Sequence, residues 1–216
     1  MPKLVADEFR PTLGEELAPA PRGVKVALAA IVALIVAAVI VAAAHHETKA
    51  SGTHIVRSSP IAFNLRSTGS LHVAKAQSGE LLRLEGAGSP ADELVVKPLR
   101  LPPYRGNVVG ILPIAAAQEI AALRARFPSL ELVSEGKARV NAVAGYSIVF
   151  RVSRSPRRYG RVIMLPLDQP GARAGVTLEL YSSPHAGGGA DVASQVGSQG
   201  ALKTPFRSFR FGTTGP

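Results

Sequence analysis

AGYSIVFRV at residues 144–152, RRYGRVIMLPL at 157–167 and GVTLELYSS at 175–183 are three apolar runs in close succession. In the first, Tyr146, Ile148, Phe150 and Val152 fall on one side of an extended chain, and Ser147 and Arg151 fall on the other. That period of two is the mark of a half-buried strand. The second and third runs are separated by DQPGARAG, a stretch of turn residues at 168–175. Strands joined by such short connections pair as neighbours, so this part of the chain predicts an antiparallel sheet.

The same pattern extends towards the N-terminus. LELVSEGKARV at 130–140 supplies one or two more strands, and IAFNLR from Ile61, LHVAK from Leu71, ELLRLEG from Glu80 and ELVVKPLR from Glu93 read as four others. Between the two groups lies PIAAAQEIAALRARF at 113–127. Its Ala116, Ile120, Leu123 and Phe127 fall within about 60° on a helical wheel, flanked by Glu119, Arg124 and Arg126, which predicts a helix lying on the sheet. Pro113 and Pro128 mark its ends. Beyond the third run, PHAGGGA reads as a loop, ADVASQVGSQ as a short helix and FRSFRFG as a closing strand. The fold class is therefore α+β, an antiparallel sheet packed with helices in the manner of an αβα sandwich.

At the other end of the chain, Val26 to Ala44 are 19 residues without a polar side chain. As a helix they extend about 28 Å, close to the roughly 30 Å of bilayer hydrocarbon. A soluble helix of that length would carry a polar face, and this one has none. Ala42, Ala43 and Ala44 resemble a signal-peptide cleavage site, but the run exceeds the 7–15 residues of a signal core, which favours an uncleaved signal-anchor. Arg22 and Lys25 abut its N-terminal end, and the positive-inside rule then puts the large domain outside the cell. The expected organisation is a cytoplasmic tail at 1–23, a transmembrane helix at 24–44, a linker at 45–57, an extracytoplasmic α+β domain at 58–212 and a short tail at 213–216. Ala29, Ala33 and Ala37 form a small-residue stripe on the membrane helix that would permit weak homo-oligomerisation.

The net charge of +10 lies wholly beyond the apolar run, where 21 Lys and Arg face 11 Asp and Glu. Such a surface attracts polyanions. An external domain meets lipid headgroups, an acidic envelope polymer or a protein partner rather than nucleic acid. The densest feature is RVSRSPRRYGR, with Arg151, Arg154, Arg157, Arg158 and Arg161 around an expected hairpin turn; these five are the anion-binding candidates.

Catalytic and metal chemistry find little footing. There is no cysteine, hence no thiol nucleophile, disulfide or Cys-ligated zinc. His45, His46 and His54 sit in a polar spacer, and no H-x-x-x-H or D-x-D pattern occurs. His72 or His185, Asp168 or Asp191 and scattered serines could in principle assemble a hydrolase, yet no G-x-S-x-G elbow is present. The reading is a membrane-anchored, extracytoplasmic, non-catalytic binding or scaffolding module of the bacterial cell envelope, with no cofactor and no metal. The alternative is an envelope hydrolase built from those scattered residues.

The succession GYSIVF, then YGRVIMLPLDQPGARAGVTLEL, then VGSQGALKTPFRSFRFG resembles membrane-anchored or secreted actinobacterial proteins with a PsbP-like, or Mog1-like, domain. The resemblance spans roughly Ile61 to Gly212. It implies an antiparallel sheet between helices and a non-enzymatic role. Near the domain start this chain has FNLRSTGSLHV where such domains often show a Tyr-Pro and a Trp.

Overall fold

The computed structural model describes residues 53–154, 156–169, 171–184 and 192–214. The expected tail, membrane helix and Ala29–Ala33–Ala37 stripe lie outside the described residues, as do His45, His46, His185 and Asp191.

Seven strands form one antiparallel sheet: β3 (Leu71–Ala74), β4 (Leu82–Gly88), β5 (Ala91–Arg100), β9 (Ala174–Ser182), β8 (Arg158–Pro166), β7 (Val143–Val152) and β6 (Leu130–Val140), in that spatial order. The three runs that open the sequence reading are β7, β8 and β9, and they lie side by side in that sequence. LELVSEGKARV is one strand, joined to β7 by the two-residue turn Asn141–Ala142. Asn141 adopts φ 51°, a conformation that asparagine tolerates, and its amide donates to the Phe209 carbonyl at 2.5 Å.

Helix α1 (Leu112–Arg126) links β5, third in the sheet, to β6 at the far edge. The chain must therefore cross the strands between them. Leu112, Ala115, Ala116, Ile120 and Leu123 are buried there against Ile148, Phe150, Val152, Val162, Met164 and Tyr181. The stretch Val108–Arg126 is apolar enough to cross a membrane by composition, but its buried stripe on the sheet makes it a core helix. The expected face Tyr146–Ile148–Phe150–Val152 is the one that α1 covers. Gly160 lies opposite Phe150 in the neighbouring strand, and a Cβ there would meet the ring at 2.1 Å. The glycine lets the ring lie flat across the sheet.

The opposite face differs from the expected helical layer. It is covered mainly by a small antiparallel sheet of β1 (Thr53–Arg57), β2 (Phe63–Ser67) and β10 (Arg210–Phe211), together with the short helix α2 (Lys203–Ser208). Ile55, Phe63, Leu65, Leu202 and Phe209 pack there on Leu84, Leu94, Val96, Leu178 and Leu180. Three local readings are corrected. β1 occupies residues read as linker; it pairs with all of β2, so its backbone is satisfied although only Ile55 is buried. The stretch read as a short helix contains a single 3-10 turn, Ala193–Gln195. Most of FRSFRFG is helix α2 and its exit, leaving two residues of strand.

Candidate functional site

The hairpin between β7 and β8 does not hold its five arginines as one cluster. Arg154 and Arg157 are exposed at the tip, and neither side chain forms an ion pair among the described residues. Arg151 is also exposed and pairs with Glu131 of the adjacent edge strand at 2.6 Å, which holds the Glu131 carboxyl below its usual range. Arg158 and Arg161 are three apart on one strand, so they leave it on opposite faces.

Arg158 joins an ionic network beside α1. Its Nη1 lies 3.3 Å from Glu93, and its guanidinium carbon lies 5.7 Å from the Tyr181 ring centre. Glu93 also pairs with Arg83, whose fork grips Glu80 bidentately at 2.5 and 2.9 Å and reaches Glu85 at 3.3 Å. Hydrogen bonding to Arg83 lowers the Glu80 pKa, and the same contact raises that of Arg83. Further along the face, Glu179 accepts from Lys97 at 2.6 Å, Arg126 at 3.2 Å and the Tyr181 hydroxyl at 2.8 Å. Burial, then the nearby Glu179 charge, pushes the Tyr181 hydroxyl and the Glu119 carboxyl upward. Arg83, Glu93 and Glu179 are only 8%, 6% and 3% exposed. Each has partners of the opposite sign, as buried charges require.

Arg161 has no such company. It donates from Nη2 to the Ser194 carbonyl at 2.6 Å, its Nε is buried without a partner, and it makes no ion pair among the described residues. Burial alone lowers its pKa. It stands at the end of an open groove of about 370 Å³ on the face away from α1. Two cross-strand rows make the floor: Ser134–Val149–Arg161 and Gly136–Ser147–Ile163. Phe206 of α2 lines the groove as well, and Lys137 and Arg139 with Glu135 line it from the edge strand β6. A bulge between Leu132 and Ser134 sets the phase of β6, turning Ser134 and Gly136 to this side. Sequence reading names Arg161 but misses the groove; the alternation of Arg158 and Arg161 about Tyr159 was the available signal.

The other sequence candidates are dispersed. His72 is exposed on β3 opposite Glu85, Asp168 is exposed in the β8–β9 turn, and His54 is exposed on β1. No group of three His, Cys, Asp or Glu able to hold a metal gathers among the described residues.

No protein-family model matches the chain, and no curated protein sequence does. Solved structures do. The fold is similar to that of the cyanobacterial PsbP protein CyanoP from Synechocystis sp. PCC 6803, with a TM-score of 0.54 at 12% identity over 75% of this chain and 93% of that one. It is similar also to LpqN of Mycobacterium tuberculosis, a protein involved in cell envelope biogenesis, with a TM-score of 0.51 at 10% identity over 75% and 91%. The Ran-binding protein Mog1p of Saccharomyces cerevisiae gives a TM-score of 0.46 at 8% identity over 74% and 95%. At these identities the likeness is one of architecture, and the domain has a PsbP-like α+β fold.

Proposed function

We propose that this chain is a membrane-anchored, non-catalytic binding module of the bacterial cell envelope, whose hairpin tip meets an anionic surface. The observation that carries this reading is the pair of exposed arginines at the β7–β8 turn, Arg154 and Arg157, whose side chains form no ion pair among the described residues. Structural needs do not account for them, since neither joins the ionic network that consumes Arg158. Support comes also from the basic excess beyond the apolar run and from the architecture shared with an envelope-biogenesis protein. The 19-residue apolar run would hold the domain within reach of lipid headgroups and wall polymer.

The test uses residues 51–216, which form a compact unit of their own. Binding to phosphatidylglycerol vesicles, with phosphatidylcholine as reference, is measured as salt is raised. Each engaged arginine is worth about 1 kcal/mol near an anionic surface, so Arg154→Glu with Arg157→Glu should weaken binding at least about tenfold. The wild-type interaction should fade with salt, because exposed charges are screened beyond about 8 Å at physiological ionic strength. Equal binding by both proteins, or binding indifferent to salt, would reduce the tip to an ordinary solvated turn.

A further inference from the structure

The groove on the β6–β8 face has the volume of a small ligand site. Its 370 Å³ falls in the range of roughly 300–1,000 Å³ usual for such sites. Among the described residues it holds a guanidinium without a carboxylate partner and two serine hydroxyls, Ser134 and Ser147, without a hydrogen bond. The two serines stand in adjacent rows of the floor, one on β6 and one on β7, with Arg161 on the next strand. Neighbouring strands are about 4.8 Å apart, so Arg161 stands about 8–10 Å from each serine along the backbone, a gap that its long side chain can span.

We propose that this groove binds a phosphate group, with Arg161 as its counter-ion and Ser134 and Ser147 as flanking donors. This deepens the envelope-binding reading and rests on it only for the source of the ligand. Arginine suits a phosphate because its fork offers several N–H groups, and one of them remains bound to the Ser194 carbonyl as an anchor. Gly136 leaves the floor open: a Cβ built there meets nothing within 4 Å.

The experiment uses the full-length chain in nanodiscs of uncharged phosphatidylcholine, titrated calorimetrically with inorganic phosphate and with glycerophosphoglycerol. Wild type should bind at least one of them saturably. Tighter binding of glycerophosphoglycerol assigns a lipid headgroup, and equal or tighter binding of inorganic phosphate assigns a free phosphate. Arg161→Gln removes the counter-ion, and Gly136→Trp fills the groove at a position with room for a side chain. Each should weaken binding at least tenfold, with native circular dichroism verifying the fold. Binding to anionic vesicles reports the tip and saturable binding of the two small anions reports the groove, so failure of one is read apart from failure of the other. No binding of either probe by wild type, or affinity within twofold of wild type in folded Gly136→Trp, would overturn the proposal.

Discussion

Arg83 and Arg161 occupy opposite faces of one sheet, and both lose water on folding. Arg83 meets Glu80, Glu85 and Glu93 and stays charged within a filled set of hydrogen bonds. Arg161 meets one carbonyl and a groove. A buried charge with its partners present belongs to the fold, since removing one member strands the others. A half-buried charge without partners costs stability unless something outside the chain supplies the missing ones. On this contrast the α1 face is architecture, and the groove is proposed as the binding side.

The largest expected effect follows from breaking the compensated side. Arg83→Met leaves Glu80 and Glu93 without their main cation, and such a loss costs about 3–5 kcal/mol. Urea unfolding should show it as a lower midpoint at unchanged slope. A cost below about 1 kcal/mol would mean that the network contributes little to the fold.

A smaller effect comes from pH. Glu80 has its carboxyl pKa lowered, chiefly by hydrogen bonding to Arg83, from an ordinary value of 4.5. Its stabilisation is therefore present above about pH 4.5 and is lost as pH falls through the lower folded value. As pH is lowered from about 5, wild type should lose stability, and Glu80→Gln should lose less of it over the same range. Parallel pH profiles for the two proteins would contradict the assignment.

How far these two faces could be read from the sequence depends on sequence distance. The α1 face was legible where periodicity is local: Tyr146–Ile148–Phe150–Val152 and the stripe Ala116–Ile120–Leu123 carry their own phase. Of the small sheet, β2 was legible as IAFNLR and β10 only as the end of FRSFRFG, while β1 and α2 were not, because THIVR buries one side chain and KTPFRS carries a proline within α2. The partnership of Arg83 with Glu93 depends on β4 pairing with β5, and that of Arg158 with Glu93 on strands 65 residues apart. The groove depends on the bulge between Leu132 and Ser134, which sets which β6 residues face Arg161. The run of five arginines was visible at once, but only the pleat divides it into tip, network and groove.

The smallest expected change in stability, and the most telling one, is at Arg161. Thermal unfolding of the full-length wild type and Arg161→Met is compared with and without saturating glycerophosphoglycerol or phosphate. Without ligand the substitution should change stability by less than about 1.5 kcal/mol, because it removes one carbonyl hydrogen bond together with a charge that has no ion pair among the described residues. With ligand at about 100 times the wild-type dissociation constant, wild type should gain about 2.7 kcal/mol and the variant, bound at least tenfold more weakly, no more than about 1.4. A ligand-free loss comparable to that of Arg83→Met, with equal stabilisation of both proteins by the anion, would make Arg161 a structural charge and contradict the account.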